Sequence, residues 1–240
     1  EPFTKLYHQG TITKDGAKMS KSRNNTVSPD EFIEKYGSDT FRAYLMFMGP
    51  FDEGGDWNDQ GITGIDRFLK KIWRFSQLPD SGDVPPKKDL QILHQTIHSV
   101  KNDLNEMKFN TAISRLMEFI NYFSSHESTT MDIKLNLIKM IAPLTPHIAE
   151  ELWEINGGES SIFLESYPEF DSALAEEDSV TIAIQVNGKL RGNINVPKTV
   201  SKEDLLISAR EQENVSIHLN NKDVIKEIVV PQRLVNFVVK

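Results

Sequence analysis

Val180-Thr181-Ile182-Ala183-Ile184-Gln185-Val186 is the stretch where the hydrophobic pattern of the 240-residue chain changes from a period of 3.6 to a period of 2. Apolar residues at alternate positions predict a half-buried β-strand. Two more strands are predicted at 224–230 and 234–239, after a helix that begins beyond Ser201. Residues 179–240 are therefore predicted to form a small α/β domain.

The turn after this strand contains Asn187-Gly188, which favours a two-residue hairpin. Such a turn would place Val186 opposite Lys189 and mix the polar and apolar faces. We therefore expect a three-residue loop with a bulge, in which Lys189 and Arg191 project together from the polar face. The same register brings three residues onto the apolar face: Leu190, Ile194 and Val196.

Helical periodicity dominates the chain before residue 179. Two short helices are predicted, one at 30–36 and one that Ser38 caps and that runs to about residue 48. A Gly-rich link at 52–56 follows them. Amphipathic helices joined by short loops then predict a bundle whose core includes Trp73 and Trp153. The predicted bundle helices are 59–76, 90–107, 112–123 (capped by Asn110), 131–141 and 146–155.

The predicted helix at 59–76 separates apolar and basic side chains onto two faces. Apolar residues at three- and four-residue spacings predict a stripe that packs into the core: Ile65, Phe68, Leu69, Ile72 and Trp73. Four cations fall within about 100° of arc on the other side: Arg67, Lys70, Lys71 and Arg74. Such a row can follow an RNA backbone, or it can be a solvated helix face, and both interpretations stay open.

Composition limits the class of protein. The chain has no cysteine and a formal net charge of −8, so a disulfide framework and cysteine-based zinc sites are excluded. No apolar run approaches the roughly 20 residues of a membrane span, and we expect a cytoplasmic protein. Residues 176–178 form an acidic run, whereas residues 179–240 carry nine Lys or Arg and only six Asp or Glu. This reversal of charge predicts a domain boundary.

The pentapeptide Lys18-Met19-Ser20-Lys21-Ser22 places two ammonium groups and two hydroxyls on one short loop. Lysine is a compact point charge with three donors, so two lysines three residues apart can follow charge as it moves along a polyphosphate. The loop is therefore a candidate phosphate-binding site. His94 and His98 share one helix face, but no third ligand is evident and no metal site is predicted.

This loop resembles the KMSKS signature of class I aminoacyl-tRNA synthetases, which closes over ATP. Residues 42–50, Trp57 and residues 64–73 look like the leucyl enzyme. Residues 142–153 resemble the leucyl, valyl and isoleucyl enzymes alike. Residues 185–192 and 228–236 are similar to bacterial leucyl-tRNA synthetases in particular, so the resemblance covers essentially the whole chain.

The resemblance implies an α+β, mainly helical C-terminal portion of a leucyl-tRNA synthetase, with three parts. These are the end of the catalytic domain (1–57), an anticodon-binding helical bundle (58–178) and a C-terminal tRNA-binding domain (179–240), with a short helix at 214–219. The parent enzyme would use ATP and Mg²⁺ to attach leucine to tRNA(Leu) through leucyl-adenylate.

The resemblance also implies roles for particular residues. Lys18 and Lys21 would be catalytic, and the whole pentapeptide, with Met19, Ser20 and Ser22, would bind ATP. Lys189 and Arg191 would contact tRNA. The first signature of the family is not matched by His8-Gln9-Gly10, so we expect this chain alone not to activate leucine.

Three other interpretations are open. The chain can belong to a valyl- or isoleucyl-tRNA synthetase, although residues 185–192 and 228–236 disfavour this. It can be a noncatalytic RNA-binding protein that retains the loop, which the intact Lys18 and Lys21 disfavour. It can be an acidic helical protein-interaction module, which leaves the basic segment 179–240 unexplained.

Overall fold

The computed structural model describes residues 2–176, 178–220 and 222–240. The chain folds into two compact units, and the boundary between them lies between Ala175 and Glu176. Helices predominate, and each unit contains one small sheet. The predicted fold class, α+β and mainly helical, is therefore confirmed. Glu177, in the middle of the acidic run, lies outside the described residues.

The first unit opens with a three-stranded sheet of β1 (Thr11–Lys14), β2 (Ala17–Lys18) and β3 (Gly54–Trp57), in the order β2-β1-β3. Asp15 and Gly16 join β1 to β2 with φ of 54° and 70°, the geometry of a two-residue hairpin turn. β3 was predicted as a link and is a strand, because it pairs in parallel with β1, some forty residues earlier.

Two helices follow the signature loop: α1 (Pro29–Tyr36) and α2 (Ser38–Phe47). Pro29 stands at the first helical position of α1, where its missing N–H costs nothing. Ser38 was expected to cap α2 from outside, but the capping residue is Gly37, whose φ of 84° suits glycine.

The helical bundle of the first unit contains α3 to α7, and one further short helix, α8, follows it. α6 and α7 have the predicted bounds, whereas α3 begins three residues later than predicted. α5 includes Asn110, because the N-cap is Lys108 instead. The bounds are α3 (Ile62–Ser76), α4 (Lys87–Asn105), α5 (Phe109–Phe123), α6 (Met131–Ile141), α7 (Pro146–Ile155) and α8 (Ser172–Ala175).

The core of the bundle contains Ile65 and Ile72 of α3, which are fully buried, and Trp153 of α7. Trp73 is 40% exposed, so its predicted place in the core is wrong. A helix turns about 100° per residue, which puts Trp73 about 80° from Ile65 and just outside the buried arc. The buried face of α3 is therefore the predicted one, but its arc is narrower than the apolar pattern indicates because it leaves out Trp73.

The second unit contains a four-stranded sheet in the order β5-β4-β7-β6 and two helices. The two last strands have the predicted bounds, and the short helix at 213–219 confirms the one that the resemblance implied. The elements are β4 (Ser179–Val186), β5 (Lys189–Pro197), α9 (Lys202–Glu211), α10 (Glu213–Leu219), β6 (Val224–Val230) and β7 (Leu234–Val239).

The β4–β5 hairpin corrects one prediction and confirms part of another. A two-residue turn joins the strands, with φ of 50° at Asn187 and 77° at Gly188, and Val186 does face Lys189. A bulge at Arg191 then restores the predicted register, in which Ile182 pairs with Ile194 and Val180 with Val196. Leu190 is 59% exposed and does not join the apolar face. The bulge therefore sits inside the strand and not in the loop.

Candidate functional site

The signature loop follows directly from the β1–β2 hairpin. Lys18 ends β2, and a single 3-10 turn covers Lys21–Arg23. The Ser20 N–H donates to Asn25 Oδ1 at 2.8 Å, and Asn25 Nδ2 donates to the Lys18 carbonyl oxygen at 3.3 Å. Asn24 closes the turn in the left-handed region, with φ of 53°. One amide side chain therefore holds the first half of the pentapeptide, from Lys18 to Ser20.

The loop exposes its charged groups and anchors its apolar one. Met19 packs against the core of the first unit, whereas Lys18, Lys21 and Ser22 are exposed. The hydroxyls of Ser20 and Ser22 lie 2.9 Å apart. Among the residues that the structure describes, neither lysine forms an ion pair. Both ammonium groups are therefore available to an anion.

Asp56 of β3 fixes the hairpin that leads into this loop. Its Oδ1 accepts hydrogen bonds from the Thr13 hydroxyl at 2.6 Å and from the Gly16 N–H at 2.9 Å. These two donors, with the Thr13 hydroxyl first, hold the pKa of the Asp56 carboxyl below its usual value of 3.8. The carboxylate is thus the form that orders the turn.

Sequence reasoning missed Asn24, Asn25 and Asp56. The two asparagines carry a recognisable signal, since Asn tolerates the left-handed region and its amide bonds to nearby backbone. No local sequence signal marks Asp56, because its partners Thr13 and Gly16 lie some forty residues away in sequence.

A groove lies between α3 and α5 in two adjoining clefts of about 290 Å³ and 250 Å³, which share Lys71. Arg67 lines one cleft and Arg74 lines the other. Lys70 lines neither, and its Nζ lies 2.8 Å from Asp66 Oδ2 on the same helix. The structure therefore brings three of the four predicted cations to one groove and places the fourth off it, beside Asp66.

The groove has an apolar floor and polar edges. Phe68 and Phe75 of α3, with Ile120 and Phe123 of α5, line it and are buried. Lys71 Nζ donates to the Asn121 side-chain oxygen at 2.6 Å. A cationic edge above apolar side chains suits a ligand with an anionic backbone and flat apolar faces, as RNA has.

A polar cluster lies at one end of this groove, which His126 lines. His126 Nε2 lies 3.5 Å from Asp89 Oδ2, and Asp89 Oδ1 accepts a hydrogen bond from the Tyr122 hydroxyl at 2.9 Å. Burial, together with this bond to a carboxylate, raises the pKa of Tyr122 to about 12. His126 Nδ1 is buried and has no hydrogen-bond partner among the described residues. The cluster braces α4 against α5.

Lys189 and Arg191 lie on the β4–β5 hairpin of the second unit. Lys189 is exposed at the start of β5, while Arg191 is the bulge residue and is half-buried. Arg191 Nε is buried without a hydrogen-bond partner within the described part of the chain. Because the bulge interrupts the alternation of faces, the sequence spacing of these two residues does not by itself put them on one face.

The paired histidines of α4 have structural partners. His94 Nδ1 accepts the Asp171 N–H at 3.2 Å, and His98 lies over Phe170 with ring centroids 4.5 Å apart. Over residues 2–176, 178–220 and 222–240, no group of three His, Asp or Glu side chains is placed to hold a metal ion. No helix in that same part of the chain is long and apolar enough to cross a bilayer.

Two family models match the chain. "tRNA synthetases class I (I, L, M and V)" matches residues 1–58, which include the signature loop. "Anticodon-binding domain of tRNA ligase" matches residues 87–207, half of the chain. Residues 62–76, which form α3, lie between the two matched segments.

Curated relatives are named leucine–tRNA ligase. The one from Chlorobium chlorochromatii is 45% identical over 100% of this chain and 31% of its own length, and the one from Petrotoga mobilis is 40% identical over 100% and 32%. The chain thus spans about a third of these relatives. A crystal structure of Agrobacterium radiobacter K84 agnB2 LeuRS, in a ternary complex with tRNA and LeuAMS, matches 100% of this chain and 33% of its own, with 28% identity and a TM-score of 0.76.

Proposed function

Because the chain belongs to the anticodon-binding domain family of tRNA ligases, we propose that it is the part of a leucine–tRNA ligase that closes over ATP and holds tRNA(Leu). The whole enzyme would activate leucine with ATP to leucyl-adenylate and then esterify its tRNA, in the cytoplasm. The valyl and isoleucyl alternatives are not favoured, because the curated relatives are named for leucine. The proposed parts are 1–57, 58–178 and 179–240.

One observation carries the ATP side of this proposal: the intact Lys18-to-Ser22 loop, which exposes two ammonium groups free of carboxylates in the described part of the chain. Activation moves negative charge onto the departing pyrophosphate, so cations that can follow this charge stabilise the transition state. Lys21 and Lys18 would bind the phosphates, and the hydroxyls of Ser20 and Ser22 would donate to their oxygens. Mg²⁺ would neutralise the same phosphates and keep much of its water shell.

The tRNA side of the proposal rests on two basic surfaces. Arg67, Lys71 and Arg74 edge the α3–α5 groove, where they would follow the phosphates of the anticodon arm. Lys189 and Arg191 of the hairpin would contact a second stretch of RNA backbone. Phosphate contacts of this kind position an RNA without reading its bases. Lys70 would contribute less than its neighbours, because it does not line the groove and its ammonium group lies beside Asp66.

Substitution of Lys21 in the full-length enzyme tests the ATP assignment. We expect Lys21→Ala to slow leucine-dependent pyrophosphate exchange by about 10² to 10³, the usual cost of removing one transition-state donor. Lys35→Ala is the matched control, because Lys35 lies on the nearby helix α1, outside the loop. Equal rates for the two variants would refute the role of Lys21.

A further inference from the structure

The second unit contains an apolar cleft of about 290 Å³ that neither the loop nor the groove accounts for. Ile182 and Leu205 line it and are buried, and Val180, Val200 and Val229 are half-buried beside them. Ligand pockets usually measure about 300–1,000 Å³, so this cleft is at the lower limit. It suits one flat apolar group and not a larger molecule.

Two cations and one amide line the cleft beside the apolar residues, which also include the exposed Pro231. Lys198 and Lys202 both line it, as does Gln232 in the β6–β7 turn. Lys198 Nζ lies 3.4 Å from Glu176 Oε1, in an exposed pair of the kind that contributes little. Within the described residues, no hydrogen bond or ion pair engages the side chains of Lys202 and Gln232.

Apolar walls, two cations and one free amide are complementary to one chemical class. A nucleotide offers a flat base for the walls, a phosphate for the cations and a base edge for the amide. A peptide segment would need partners for its backbone N–H and C=O groups, and the lining side chains offer chiefly cations and methyl groups. We propose that this cleft binds one unstacked nucleotide of the RNA, an inference that rests on the proposed tRNA-binding function.

The backbone conformation of Gln232 allows a substitution that removes its side chain without straining the turn. Its φ of 55° lies in the left-handed region, which is uncommon for a residue with a full side chain. Glycine would adopt this conformation without strain, and here glutamine occupies it. Gln232→Gly therefore removes the amide while it suits the turn, which makes it a clean test of that side chain.

Two substitution pairs in the full 240-residue chain test the cleft by binding to leucine tRNA across a salt series. The double variant Lys198→Ala/Lys202→Ala is expected to bind leucine tRNA about tenfold more weakly. The slope of its log affinity against log salt should be flatter by about one to two. Lys222→Ala with Lys226→Ala removes two exposed cations of the same unit that do not line the cleft, and should change binding less.

Gln232→Gly should lower the affinity about fivefold and leave the salt slope unchanged, because an amide contact to a base releases no counterions. Equal effects of the two lysine pairs, together with normal binding by Gln232→Gly, would refute the proposal that the cleft binds a nucleotide. The proposed tRNA-binding function of the chain would still stand. Absence of any tRNA binding by the unsubstituted chain would overturn both.

Discussion

Asp39 of α2 caps the N-terminus of α7, since its Oδ2 accepts the Ile148 N–H at 2.6 Å across more than a hundred residues. Oδ1 lies 2.9 Å from His147 Nδ1, and Asp39 is only 4% exposed. Thr145, the local N-cap residue, uses its hydroxyl on the Ile141 carbonyl and gives α7 no side-chain cap. A carboxylate from α2 therefore takes the place of the local cap and ties α2 to the bundle.

Removal of this remote cap should destabilise the first unit. Asp39→Ala leaves the Ile148 N–H without its acceptor, and we expect the free energy of unfolding to fall by about 1–2 kcal/mol in urea denaturation. Asp39→Asn keeps an acceptor oxygen and should cost less. Asp52→Ala, at an exposed position, is the control, and a loss as large as that of Asp39→Ala would argue against the cap.

The Asp56 carboxylate should order the Asp15-Gly16 turn only while it is ionised. Its pKa is lowered on folding, so its contribution is present above the usual value of 3.8 and is lost as the pH falls through the lower, folded value. The Gly16 amide resonance in NMR should therefore titrate with a midpoint below 3.8. Thr13→Val removes the larger of the two causes and should move the midpoint upward, whereas an unmoved midpoint would contradict this account.

The α3 cations should differ in their effect on tRNA binding. Arg67→Ala, Lys71→Ala and Arg74→Ala each remove a cation that lines the groove, so each should flatten the salt slope by about one. Lys70→Ala removes a cation that lies off the groove, beside Asp66, and serves as the matched control. If Lys70→Ala flattens the slope as much as its neighbours do, the groove does not single out the cations that line it; if none of the four substitutions changes the slope, the row is a solvated helix face.

The chain by itself should not catalyse leucine-dependent pyrophosphate exchange. The loop of residues 18–22 supplies cations for the phosphates, but the first signature of the family, which also holds the triphosphate, is not matched at His8-Gln9-Gly10. Exchange assays with the purified chain should give the background rate. A rate that rises with leucine concentration would contradict this expectation.

Local signals in the sequence were enough to predict several elements. Thr130 and Pro146 mark where α6 and α7 begin, and both helices have the predicted bounds. The alternation of apolar residues likewise predicts β6 and β7. Capping, proline placement and periodicity are properties of neighbouring residues, so the sequence shows them directly.

Three of the misses depend on how strands pair, which a local pattern does not show. β3 exists because β1 pairs with it, and Asp56 matters because Thr13 and Gly16 meet it. The bulge at Arg191 is set by the pairing of β4 with β5, which local alternation cannot reveal. For the candidate site, the sequence identifies the signature loop itself, while the groove between α3 and α5 emerges only from packing.

Whether the chain holds tRNA is best decided by its binding to leucine tRNA and to an unrelated tRNA, followed by fluorescence anisotropy across a salt series. We expect tighter binding to leucine tRNA, which weakens steeply as salt rises because several phosphates are neutralised at once. Weak binding, or equal binding to both tRNAs, would contradict the claim that this part of the enzyme holds its tRNA.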